Sequence, residues 1–135
     1  MSRLARFLLS KISAIAFPAV EQQTDRPHDQ GLEFFRRNLT SAAAVARAHG
    51  ARLVLASQPA RTALRNHRGF SAYNRAVAEV AARAGATFVD VAAAMTDDAL
   101  FLDDAIHYTP SGVERLSGVM YSPLVAEVAA VMEAR

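Results

Sequence analysis

From residue 31 onward, two kinds of apolar spacing alternate along the chain. GLEFFRRNLTSAAAVARAHG sets Leu32, Phe35, Leu39, Ala42 or Ala43, and Ala46 at helical intervals, and Gly50 stands where a helix would end. RLVLAS (residues 52–57) is short and apolar and is stopped by Gln58-Pro59, the pattern of a buried strand. After QPARTALRNHRG, an expected loop with several arginines, the order repeats. FSAYNRAVAEVAARAG carries Tyr73, Val77, Val80 and Ala84 at helical spacing before Gly85, and TFVDV (residues 87–91) is a second expected buried strand. Helix, strand, helix, strand is the α/β signature, and two short apolar strands joined by a helix are expected as parallel neighbours with a right-handed crossover. Thr109 as N-cap and Pro110 at the first helical position open a last helix, which Pro123 is expected to break or kink.

Upstream, the spacing changes. In residues 1–17, Leu4, Phe7, Leu8 and Ile15 fit one helical face with Arg3, Arg6 and Lys11 largely off it. Lys11 cuts the apolar run short, so an amphipathic surface helix is favoured over a signal peptide, and a cytoplasmic location over an exported one. Residues 18–30, polar and carrying Pro18 and Pro27, read as a loop, leaving 31–135 as the α/β domain. No segment reaches the roughly 18 apolar residues expected of a membrane span.

Composition narrows the function classes. With 135 residues and 52% apolar content the chain should fold as one domain around a core. Its fifteen basic residues, fourteen of them Arg, are scattered among thirteen acidic ones, so no concentrated basic surface marks a nucleic-acid partner. The absence of cysteine excludes disulfides, thiol nucleophiles and thiolate metal sites. His28, His49 and His67 lack metal-ligand spacing, Asp97-Asp98 and Asp103-Asp104 lack a calcium loop, and no glycine-rich phosphate loop occurs. Neither a metal nor a cofactor is therefore expected. Arg61, Arg65 and Arg68 read as a solvated loop, or as a group facing an acidic substrate.

Open parallel sheets bind ligands beyond the carboxyl ends of their strands, here Ser57-Gln58 and Asp90 to Ala92. Asp104 and His107 follow the second strand by about a dozen residues, which can return them to that edge. A neutral imidazole that takes a proton from a serine hydroxyl becomes cationic, and a carboxylate on its other nitrogen fixes the tautomer and stabilises the charge. Ser57 is a strand-end serine, expected to bond nearby backbone rather than to act as nucleophile.

The string from Phe101 to Gly112, with Asp104, His107, Thr109 and Gly112, resembles the last sequence block of the SGNH (GDSL-type) hydrolases. FRRNLTSAAAVARAHGARLVLASQP and YNRAVAEVAARAGATFVDVAAAM are similar to helix and strand units preceding that block, so the resemblance covers about residues 31–130. It implies an incomplete flavodoxin-like three-layer α/β/α fold with a short parallel sheet. It also implies that Asp104 is the acid and His107 the general base of an ester-hydrolysing triad, with Thr109 capping the final helix and Gly112 allowing close packing. Asp103, four residues from His107, is the less favoured acid.

That family carries its nucleophile in a Gly-Asp-Ser block and its oxyanion hole partly in a Gly-x-Asn-Asp block. Neither occurs here, and Asn38, Asn66 and Asn74 stand in unrelated contexts. One missing oxyanion donor alone costs about 2.7–4 kcal/mol of transition-state stabilisation, so esterase activity of this chain alone is not expected. The expectation is a C-terminal portion supplying the Asp-His part of a triad, acting on an acyl ester or other small molecule when completed. A two-stranded parallel sheet is also a poor core, so a complementing N-terminal segment, a partner chain or self-association should cover its edge. The alternative is a non-catalytic α/β interaction module or degenerate hydrolase remnant.

Overall fold

The computed structural model describes residues 29–133. Helix α1 (Asp29–Ala48) leads into β1 (Val54–Ala56); a short helix α2 (Thr62–Arg65) precedes α3 (Arg68–Ala84); β2 (Thr87–Val89) follows. A one-turn helix α4 (Val91–Ala94), a 3₁₀ turn (Asp98–Leu100) and the long helix α5 (Pro110–Glu133) complete the order. β1 and β2 pair in parallel, with Val54 beside Thr87, Leu55 beside Phe88 and Ala56 beside Val89. This is a helix-rich, incomplete α/β fold with the short parallel sheet expected from the sequence.

Local chemistry accounts for the helix ends. Gly50 and Gly85 adopt φ of +66° and +65°, the left-handed conformation that closes a helix without a Cβ penalty. Gly85 N–H reaches back to the carbonyls of Ala81 and Ala82. At the start of α5, Thr109 Oγ1 accepts from Gly112 N–H at 3.2 Å and its carbonyl from Val113 N–H at 2.9 Å, so Thr109 is the N-cap and Pro110 opens the helix as expected.

α1 and α3 run side by side in the same direction. Phe35 meets Tyr73 edge to face at 5.0 Å near their starts, Arg36 pairs with Glu79 at 3.0 Å, and Arg47 donates to the Ala84 carbonyl near their ends. The side of α3 made by Ala76, Val77, Val80 and Ala81 is buried. A second cluster of Val89, Val91, Met95 and Phe101 packs against Val54, Leu100, Tyr108, Leu116, Val119 and Met120, joining the sheet to the first half of α5.

Several expectations are corrected. Neither strand is buried along its length: Val54 and Leu55 are half-buried, Ala56 is exposed and Phe88 is 36% exposed, because among the described residues only two strands pair. β2 stops at Val89, since Asp90 turns to cap α4 by accepting from Ala93 N–H. α1 begins at Asp29 and α3 at Arg68, two residues before each expected start, and the expected loop at 58–69 contains α2. α5 continues through Pro123 without ending, although proline removes one hydrogen bond from the helix. At 24 residues, α5 is also long and apolar enough to cross a membrane by length and composition, contrary to the expectation of no such segment. Its Leu116, Val119 and Met120 pack on the core, and Glu127 bonds both Thr87 and Arg52 (2.6 Å to Arg52). The amphipathic helix assigned to residues 1–17, and all but the last two residues of the loop assigned to 18–30, lie outside the described residues.

Candidate active site

Residues 101–109 form a closed loop in front of α5. Phe101 and Tyr108 face each other across an isolated antiparallel bridge, and Leu102 N–H donates to the His107 carbonyl at 2.8 Å. Thr109 N–H donates to the Leu100 carbonyl at 3.0 Å, where Gly112 packs so closely that a Cβ there would stand 2.0 Å from that same oxygen. No alanine fits at position 112, and the loop is thereby pressed onto the first turn of α5.

Asp104 organises the turn. One carboxylate oxygen accepts from the backbone N–H groups of Ile106 (3.1 Å) and His107 (2.9 Å), while the other lies 2.5 Å from His107 Nδ1. Between them Ala105 takes φ +71°, a left-handed conformation unusual for a residue with a Cβ. The bond from His107 N–H, then that from the His107 ring, then that from Ile106 N–H hold the Asp104 carboxyl down at about 2, from the usual 3.8. An ionised carboxylate only accepts, so Nδ1 of the neutral ring carries the proton and Nε2 is left as the basic nitrogen. The His107 side chain is 71% exposed, so a reactant can reach it.

The loop returns to the carboxyl edge of the sheet. Arg61, just beyond β1, donates its backbone N–H to the Ala105 carbonyl at 3.1 Å. Its guanidinium lies 4.0 Å from Asp98 and 3.5 Å from Asp103. Asp98 in turn accepts from the N–H and hydroxyl of Thr62, and its carboxyl is held below the usual carboxylate range first by that N–H, then by the hydroxyl and by Arg61 and Arg65. Arg65 donates to the Thr96 carbonyl at 3.0 Å. Arg61 and Arg65 therefore tie the loop after β1 to the loop after α4, in place of the solvated role expected for them. Asp103 is occupied with Arg61, leaving Asp104 as the carboxylate on His107.

A second link went unrecognised in the sequence. Asn74 accepts from Gln58 N–H and donates to the Gln58 carbonyl, both at 2.8 Å, and Gln58 Nε2 donates to Tyr108 Oη at 3.1 Å. Tyr108, the residue next to His107, is thus tied to Gln58 at the end of β1, fifty positions away, and Gln58 in turn to Asn74, sixteen positions away. No short-range spacing signals such a chain.

Ser57, 4% exposed, donates its hydroxyl to Asp90 at 2.7 Å and accepts from Ala92 N–H at 2.9 Å, joining the ends of the two strands. Ser71 donates to Arg68, Ser117 to Val113, and Ser111 pairs with Thr109. Each of these hydroxyls is engaged with a partner other than His107. Among the described residues no group of three or more histidine or acidic side chains is arranged to hold a metal.

Comparison with known proteins adds one finding. The family model described as GDSL-like lipase/acylhydrolase matches residues 15–115, beginning upstream of the resemblance visible in the sequence and ending just after the first turn of α5. Neither a curated protein nor a solved structure matches the chain.

Proposed function

The chain belongs to the GDSL-like lipase/acylhydrolase family, and from that premise we propose that Asp104 and His107 are the acid and general base of a hydrolytic triad acting on carboxylic esters. The observation that carries this reading is the 2.5 Å contact between Asp104 and His107 Nδ1 on an exposed turn at the carboxyl edge of the sheet.

In this reading a serine hydroxyl approaches Nε2 of His107. The imidazole takes the hydroxyl proton as the oxygen attacks the ester carbonyl, and Asp104 stabilises the imidazolium that results. The same Nε2–H then protonates the leaving alcohol, and a water molecule, deprotonated in its turn by His107, hydrolyses the acyl-enzyme. The sequence contains no Gly-Asp-Ser block, and Ser57 is engaged by Asp90 and Ala92, so the nucleophile comes from a complementing segment and the chain by itself is inactive. The substrate class is an acyl ester.

A fluorophosphonate probe, which labels activated serines, tests this. The isolated chain should remain unlabelled. When it is completed by a nucleophile-bearing segment of the same family, labelling and ester hydrolysis should appear, and His107→Ala should abolish both. Activity retained in that variant would overturn the assignment. The exposed outer face of α5, with Tyr121 70% and Met132 72% accessible, favours as a second reading a non-catalytic interaction module. Failure of every completed form to label would support it.

A further inference from the structure

The fold separates charges by layer. α1 and α3 carry six arginines against Asp29, Glu33 and Glu79, whereas residues 85–133 carry Arg115 against eight acidic residues. The basic side chains also share one surface. Arg75, Glu79 and Arg83 follow one another at four-residue intervals along α3, on the side turned away from the buried Ala76, Val77, Val80 and Ala81. From α1, Arg36 pairs with Glu79 at 3.0 Å and Arg47 donates to the Ala84 carbonyl at 2.7 Å, so arginines of the two helices meet across the seam between them. Glu79 also lies 3.8 Å from Arg83 and is divided between two guanidinium groups. Arg37, Arg47 and Arg75 are exposed and have no carboxylate partner among the described residues. Positive charge is therefore left over along about 15 Å of α1, from Arg37 to Arg47, and on the neighbouring turn of α3. Beside it α1 exposes Phe34 (44%) and Val45 (59%) on one helical face, and the Arg37 guanidinium lies 4.8 Å over the Phe34 ring.

We propose that this face of α1 and α3 docks on an anionic lipid surface, with Arg37, Arg47 and Arg75 on headgroup phosphates and carboxylates and with Phe34 and Val45 at the boundary with the acyl chains. Charge complementarity carries the choice of partner. A planar guanidinium donates in pairs to phosphate or carboxylate oxygens, and here the present partners of Arg37 and Arg47 are a ring and a neutral carbonyl, which leave that charge unanswered. Basic side chains flanked by an aromatic and an aliphatic one are the composition of a helix that lies in a membrane interface. The small, exposed Thr40, Ala44 and Ala82 keep the ground between the arginines low, as a flat partner requires. A nucleic acid is the poorer match, since Arg37 already covers one face of the Phe34 ring, on which a base would stack. The surface includes neither Asp104 nor His107, so the inference is independent of their catalytic reading.

Co-sedimentation of the full chain with phospholipid vesicles tests it. Vesicles of about 30% phosphatidylserine in phosphatidylcholine should carry the chain down at about 50 mM NaCl, and should release it at about 500 mM, where the attraction is screened. Phosphatidylcholine alone should not bind it. Each arginine at an anionic surface contributes roughly 5-fold to the partition, so Arg37→Gln with Arg75→Gln should weaken it about 25-fold, and the same two positions changed to lysine should restore it to within about 3-fold. No binding by the unsubstituted chain overturns the proposal, as does binding that is equal on the neutral vesicles. Binding that survives the glutamine pair places the interaction elsewhere in the chain and overturns it too. So does tighter binding to a DNA duplex that the glutamine pair abolishes, which would assign the surface to nucleic acid. Should the glutamine pair unfold, as circular dichroism would report, Arg75→Gln alone decides, a loss of about 5-fold upholding the surface and no loss overturning it.

Discussion

Asp104 holds His107 at two points, accepting its backbone N–H at 2.9 Å and facing its ring Nδ1 at 2.5 Å. One side chain thus fixes both where the histidine backbone turns and which way its ring points, within a three-residue offset. A folded-state pKa depressed to about 2 from the usual 3.8 means the turn is stabilised by the ionised carboxylate. The sign follows from linkage: that stability is fully present above the unfolded value and is lost as pH falls through the folded one, between about 4 and about 2. The amide resonances of Ile106 and His107 should therefore titrate together with a midpoint near 2. In Asp104→Ala both should lose that titration, and nitrogen-15 shifts should show His107, when neutral, as a mixture of tautomers instead of the Nδ1–H form alone. A single unchanged tautomer in the variant would contradict the orienting role.

Gly112 and Gly118, two glycines of the same helix, should respond oppositely to alanine. A Cβ at 112 would lie 2.0 Å from the backbone oxygen of Leu100, which cannot swing aside as a side chain can. Gly112→Ala should cost about 3 kcal/mol, the upper part of the overpacking range, and displace the 101–109 loop. At Gly118 nothing lies within 4 Å of the place a methyl group would take, so Gly118→Ala should stabilise by about 1 kcal/mol through helix propensity. Urea unfolding of the two variants, compared with the parent chain, measures both signs.

What the sequence made legible was mainly local. α3 could be read because Val77 and Val80 recur on one face and Gly85 must adopt positive φ to end it. The Asp104–His107 relation was equally visible, since a three-residue turn needs no distant alignment. Strand length was not, because β1 persists only where β2 pairs with it and the apolar run says nothing about where pairing stops. α2 escaped notice because its first N–H is satisfied by the Asp98 carboxylate, thirty-six residues away. The tie from Asn74 through Gln58 to Tyr108 escaped for the same reason: its members meet only after α3 has folded back over β1.

Ala105 offers a test of how the turn is held. Its φ of +71° carries a cost of about 1–2 kcal/mol for a residue with a Cβ, sustained by the bonds from Ile106 and His107 N–H to Asp104 and by Arg61 N–H on its carbonyl. Glycine removes that cost but adds about 0.4–1 kcal/mol of unfolded-chain entropy. The first effect is the larger, so Ala105→Gly should raise stability by about 0.5 kcal/mol with the Asp104–His107 contact intact. Thermal or urea unfolding gives the sign, and a destabilised variant would mean that the left-handed conformation is not strained.

Ser57 separates a structural serine from a catalytic one. Its buried hydroxyl bridges Asp90 and Ala92 N–H, joining the carboxyl ends of β1 and β2. Ser57→Ala leaves the half-buried Ala92 N–H without that acceptor and the exposed Asp90 carboxylate short of one donor that water can replace, a loss of about 1 kcal/mol. The expected outcome is reduced stability and a changed Ala92 amide shift. In a completed, labelling-competent form of the enzyme, probe reactivity per folded molecule should be unchanged, because another serine is the nucleophile. Loss of labelling at full foldedness would instead make Ser57 the attacking group, and would require its bond to Asp90 to break and the hydroxyl to turn toward His107.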